Sequence, residues 1–239
     1  MFAPGANQLA AEFGITNSTI AAMTVSIYIL GFAVGPLFIA PFSELYGRLI
    51  IYHLCTVFYF AFTLGCAFST NTAMFLVFRF ICGCAASGPM TVGGGTVADT
   101  TSEEKRGAAM ALFSVGPLLG PTIGPVIGGF VTENTGWRWT FRIIMIMSGT
   151  LAIPSFYFLR ETNGAIILER KAQRLRKETG NPHLVSKQGS TPRSRQTFSH
   201  SIVRPTKMLI FSPIVLLLSL YAGLIFGLIF LLFTTFPNV

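Results

Sequence analysis

Charge is missing from long stretches of this chain, and the breaks between those stretches set its architecture. Residues 13–43, 49–68, 107–132 and 208–239 hold no Asp, Glu, Lys or Arg, while 73–98 and 140–159 hold one charge each, Arg79 and Arg142. A helix needs about 20 mainly apolar residues to cross roughly 30 Å of hydrocarbon, so these runs predict about six spanning helices. A membrane barrel would show shorter segments of alternating polarity, and none appears. The expected fold class is all-α integral membrane. Five spanning helices fall over 15–159, a loop follows over 160–207, and one more helix occupies 208–239.

Composition agrees. Apolar residues make up 51% of the chain and charged ones 11%, against roughly 25% charged in a soluble domain. All four cysteines, Cys55, Cys66, Cys82 and Cys84, fall inside predicted spans and read as small packing residues. His53, His183 and His200 are scattered. With no histidine cluster, metal-ligand spacing or nucleophile–base pair in the spans, neither an enzyme nor a bound cofactor is expected. Gly93-Gly-Gly95 lacks a following Gly-Lys-Ser/Thr and lies within a span, which argues against a phosphate loop.

The location of the charge orients the chain. Residues 160–207 hold 11 Lys/Arg and 3 Asp/Glu, and the remainder holds 6 of each, so one loop carries the entire net charge of +8. Basic loops favour the cytoplasm. The charged breaks 44–48 and 99–106 share that side, while the uncharged break 69–72 faces out. Counting backwards makes 1–14 an external segment, which predicts that a preceding helix is missing. Within the loop, Arg170, Lys171, Arg174, Arg176 and Lys177 accompany Leu168, Ala172 and Leu175 at helical spacing. This is the pattern of a basic amphipathic helix beside anionic lipid headgroups rather than of a nucleic-acid partner. Residues 180–201 read as linker. Ser194, between two arginines, is a phosphorylation candidate set against a plain solvated stretch.

The most informative run is Ser114-Val-Gly-Pro-Leu-Leu-Gly-Pro-Thr-Ile-Gly-Pro-Val-Ile-Gly-Gly129. Gly116, Gly120, Gly124 and Gly128 recur every four residues, with Gly129 next to the last, forming a stripe that lets another helix approach closely. Pro117, Pro121 and Pro125 each remove a backbone hydrogen bond. In lipid the freed carbonyls need protein or water. A tightly packed helix pair and a deformable helix at a moving interface are both compatible with the run, and the repeated Gly-Pro pairing favours the second.

This run resembles the antiporter motif of major facilitator superfamily transporters, and other stretches match that family in order. Gly35-Pro36, continuing through Glu44 to Gly47-Arg48, resembles the loop between the family's second and third helices. Arg79-Phe-Ile-Cys-Gly83 resembles the arginine motif of its fourth helix, and Gly136-Trp-Arg-Trp-Thr-Phe141 the start of its sixth. Glu161-Thr162 and the segment from Ile167 to Gly180 resemble the central loop of fungal drug:proton antiporters. Departures occur at Ala40, where the family has glycine, at Glu44 in place of aspartate and at Leu49 in place of a second basic residue. Asn163-Gly-Ala165 stands where a proline is usual.

The resemblance implies an amino-terminal bundle lacking its first helix, plus the first helix of the second bundle, out of twelve helices in all. It implies alternating access with proton-coupled export of a drug, polyamine or similar small molecule. The Gly-Pro helix would then lie between bundles. Arg79 carries either proton coupling or anion attraction, or else bonds neighbouring carbonyls. No acidic residue lies mid-span, so the coupling carboxylate is either on a helix outside this chain or is Asp99. Arg48 and Asp99 are expected to pair at the cytoplasmic surface and hold a gate. Plasma membrane is the expected address, with the vacuolar membrane as the alternative. The competing reading is a non-transporting remnant or a membrane interaction partner.

Overall fold

The structure is a computed structural model that describes residues 2–181, 184, 207 and 210–235. The linker containing Ser194, together with His183 and His200, lies outside these residues. After a single 3-10 turn at Ala3–Gly5, helix α1 spans Ala6–Glu12, α2 Ser18–Tyr46, α3 Arg48–Ala67, α4 Thr72–Thr100, α5 Glu103–Thr135, α6 Trp137–Phe158, α7 Gly164–Thr179 and α8 Pro213–Thr235. Among the described residues, α2 through α6 are long and apolar enough to cross a membrane. The sixth apolar run is helical over α8.

The helix boundaries follow local chemistry. Asn17 and Asn71 cap α2 and α4 through side-chain oxygens that accept from Thr19 N and Ala73 N, supplying partners for free first-turn amides. The charged breaks are shorter than their polarity suggests. Helix α2 runs through Glu44 to Tyr46, and Gly47 alone separates it from α3. Gly47 has φ +106°, and Gly136, the single residue between α5 and α6, has φ +90°. Glycine meets that backbone requirement without a Cβ penalty.

Helix α4 is the hub, packed against α2, α3 and α5, while α6 closes against α3 and α5. The α2–α4 crossing brings backbone onto backbone. A Cβ at Gly31 would overlap the Phe80 carbonyl, one at Gly35 would stand 2.7 Å from the Cys84 carbonyl oxygen, and one at Gly83 would overlap the Tyr28 carbonyl. Two helices in lipid gain little from burying apolar groups, so such close approach is what holds them. Two buried hydroxyls at this crossing satisfy themselves within their own helix, Thr24 to the Ala21 carbonyl and Ser87 to the Cys84 carbonyl, both at 2.7 Å. Outward faces are apolar: Tyr157 and Phe158 are 82% and 83% exposed.

The three prolines leave α5 continuous over 33 residues. By the i to i−4 rule they free the carbonyls of Phe113, Pro117 and Pro121.

Candidate functional site

One end of the bundle gathers the charges. Arg48 opens α3 and Asp99 lies in the last turn of α4, and Arg48 Nη1 stands 2.8 Å from Asp99 Oδ2. That nitrogen makes no aligned hydrogen bond, so the attraction is Coulombic. Its partly exposed setting limits it to about 0.2–1 kcal/mol. Room for the guanidinium comes from Gly95, where a Cβ would stand 2.8 Å from Arg48 Nη2. One residue along, the Thr96 hydroxyl is 2.9 Å from the Tyr52 hydroxyl and ties α4 to α3.

Glu161, just beyond α6, completes this end. Its carboxylate accepts from the backbone amides of Arg48 and Leu49 at 3.1 and 3.3 Å, and from those of Thr162 and Asn163 at 3.1 and 3.0 Å. A carboxylate on the exposed amides of a helix start meets both unpaired donors and the positive end of the helix dipole. A Cβ on Gly47 would overlap Glu161 Oε2, so glycine there serves both the turn and the cap. Glu161 was legible only as part of the central-loop resemblance; its capping role depends on a contact across 113 residues. Glu44 is exposed in the last turn of α2.

Arg79, on α4, lies among rings. Its guanidinium carbon is 4.7 Å from the Phe2 ring centroid, 4.8 Å from that of Tyr28 and 5.3 Å from that of Phe141. Such cation–π contacts offset part of the cost of holding a charge in lipid. Its Nε is buried without a hydrogen-bond partner and borders a small cavity, about 10 Å³, that Tyr28, Tyr59, Thr63 and Cys82 also line. Gly83, one turn on, and Gly35 serve the α2–α4 crossing, and Pro36 follows within α2.

The Gly-Pro face of α5 is largely uncovered. No atom lies within 4 Å of a Cβ built at Gly116, Gly120 or Gly129, and Pro117 is exposed, while Pro121, Gly124 and Pro125 are half-buried. Gly128 is buried. Just before the run, Phe113 sits in the notch left by Gly93, where a Cβ would stand 2.6 Å from its ring. The glycine triplet 93–95 thus admits Phe113 and Arg48.

At the opposite end, Glu12 pairs with Arg138 and accepts from Trp137 Nε1 at 2.7 Å. Arg138 also donates to the Ser69 carbonyl at 3.1 Å. Gln8 accepts from Trp137 N and donates to the Thr132 carbonyl. These contacts seat Phe2 and Leu9 in a core with Phe75, Trp137 and Phe141. The bond from Arg138, aided by that from Trp137, holds the Glu12 carboxyl below its ordinary value.

Comparison with known proteins agrees with this architecture. The chain is 69% identical over 239 residues to the MFS transporter fsa7 of Fusarium sp. (strain FN080326), covering 100% of this chain and 47% of that protein. It is 68% identical over 239 residues to the Trichosetin biosynthesis cluster MFS transporter of Gibberella fujikuroi, covering 100% and 50%. Against the MFS-type transporter MFS19 of Alternaria alternata the identity is 64%, covering 100% and 49%. The chain spans about half the length of the curated relatives it matches. Residues 1–239 match the family model of the Major Facilitator Superfamily, and with five helices able to span a membrane, this chain is a multi-pass membrane protein of that family.

Proposed function

We propose that this chain supplies helices of the amino-terminal bundle of a transporter that exports a small organic molecule in exchange for protons. The carrying observation is the charged end of the bundle. Arg48, Asp99 and Glu161 tie together the starts or ends of α3, α4 and the loop after α6, on a bundle whose α5 Gly-Pro face is bare at Gly116, Pro117 and Gly120. A tie that is weak, partly solvated and built on helix ends suits a gate that must open. The bare α5 backbone suits a partner bundle that slides or rocks against it.

Asp99 is the proposed proton-responsive carboxylate of this half, because it is the acid that faces the gate arginine. Among the relatives, one is named for the trichosetin biosynthesis cluster. A fungal secondary metabolite is therefore the first substrate class to test, with drugs and polyamines beside it. The plasma membrane is the proposed address, where export removes the compound from the cell, and the vacuolar membrane is the alternative.

The test is a flux measurement on the intact protein in sealed vesicles, with an imposed pH gradient and a panel of fungal metabolites, cationic dyes and polyamines. Movement of at least one class that collapses with a protonophore is expected. Folded protein that moves none of them under any gradient sinks the reading.

A further inference from the structure

We propose that α7 is a docking strip for the anionic phospholipid headgroups of the adjoining membrane leaflet. The first observation is where the helix starts. Helix α6 ends at Phe158, whose ring, like that of Tyr157, is almost wholly exposed. An exposed Tyr at a span terminus marks the headgroup level. Glu161 then binds the first amides of the spanning helix α3, and α7 begins at Gly164. The helix therefore leaves from the membrane surface, on a short and fixed tether.

The second observation is how its faces divide. Ile166 and Ala172 are buried, with Glu169 and Arg176 between and beyond them on the same side and paired with each other at 3.5 Å. This ridge holds the helix to the protein. Leu168, Lys171 and Leu175 are spaced three and four apart and share a second face, on which Leu168 is 41% and Leu175 39% exposed. Arg170, Arg174 and Lys177, spaced four and three apart, form a third. Arg174 is bound to Glu178 at 2.8 Å on the exposed surface. Arg170, Lys171 and Lys177 have no carboxylate partner among the described residues. Arg170, Lys171, Arg174, Leu175 and Glu178 border one open stretch of the helix surface.

A ridge of exposed leucines beside a ridge of cations, of which Arg170 and Lys177 have no carboxylate partner among the described residues, held at the headgroup level, matches one occupant. The leucines enter the boundary between headgroups and acyl chains, and the cations meet lipid phosphates and carboxylates. A soluble anion would use the cations and leave the leucines in water. The inference needs the chain to lie in a bilayer and does not need it to transport.

Hydrogen exchange of the intact protein in nanodiscs tests this, comparing phosphatidylcholine alone with phosphatidylcholine containing phosphatidylserine. Amides of α7 should exchange at least about tenfold more slowly with phosphatidylserine, since an anionic surface attracts several juxtamembrane cations at once. The gain should vanish in R170Q/R174Q/K177Q, survive in R170K/R174K and fade at high salt, while α3 and α4 exchange as before in every variant. Equal exchange in the two lipids overturns the proposal. So does equal protection on adding inorganic phosphate to phosphatidylcholine nanodiscs, which would make the strip a soluble-anion site. Lipid-dependent protection in a protein that moves no substrate would leave this inference standing and remove the transport reading.

Discussion

Glu161 Oε1 accepts a hydrogen bond from the backbone amide of Arg48 at 3.1 Å, across 113 positions of sequence. The acceptor is a carboxylate and the donor the first amide of a spanning helix, so one side chain both caps α3 and pins the chain leaving α6 to it. The same Arg48 reaches Asp99 with its guanidinium. Three separated segments therefore meet at a single residue.

Replacing Glu161 separates capping from charge. E161A removes the acceptor from four amides and should lower stability by about 1–2 kcal/mol, in line with lost helix caps. E161Q keeps an acceptor oxygen and should retain most of it. Thermal unfolding of the purified protein in detergent reads both. Equal losses would mean that charge, not hydrogen bonding, does the capping.

Gly47→Ala should cost about 1–3 kcal/mol, because a non-glycine residue would be held at positive φ and its Cβ would overlap Glu161 Oε2. In E161A/G47A the overlap with the carboxylate disappears, leaving the backbone term and the 3.0 Å approach to Ile166 Cδ1. The double variant should therefore lose less than the sum of the two single losses, and additive losses would show that the two residues do not compete for the same space.

Charge reversal probes the gate. R48D and D99R should each reduce flux, and R48D/D99R should recover part of it, because the pair is Coulombic rather than an aligned hydrogen bond. Gly95→Leu should act like loss of Arg48, since its side chain would occupy the guanidinium's place. Absence of any rescue in the double reversal counts against the pair as a gate.

Glycines should divide by clearance. Gly31→Ala or Gly83→Ala would drive a methyl into the facing carbonyl and should lower the yield of folded protein severalfold, an overpacking cost of about 1–3 kcal/mol. Gly116→Ala and Gly120→Ala meet nothing within 4 Å in this structure and should leave folding of this bundle intact. Flux loss in those two variants, with normal folding, would locate their role between bundles. Detergent size-exclusion profiles and transport assays together distinguish the outcomes.

The Glu12 contact should depend on acid. Its folded pKa lies below the ordinary 4.5, so its stabilising contribution is fully present above about 4.5 and is lost as pH falls through the lower folded value. Tryptophan fluorescence reporting on Trp137 should shift over that acid range. E12Q should remove the acid step while leaving neutral-pH folding close to normal, because amide and carboxylate have the same shape. An unchanged acid step in E12Q would assign the transition to another group.

Much of this fold is legible in the sequence. Helix lengths follow from the charge-free runs, since a backbone in lipid must satisfy its own hydrogen bonds. The expected pairing of Arg48 with Asp99 rests on placing both charged breaks at the same membrane surface. The breaks were less legible: Glu44 reads as loop by polarity but continues α2, because the chain needs only Gly47 to turn.

Sequence by itself determined the medium and the helices, for these depend on composition and local periodicity. Tertiary structure alone decided which glycines are indispensable and which lie bare, for that depends on what stands opposite each one. Gly31 and Gly116 sit in similar apolar runs, yet a carbonyl faces the first and open space the second. Likewise, nothing local in Glu161 announces a cap. A carboxylate acquires that role only when the fold brings the unpaired amides of another helix within reach.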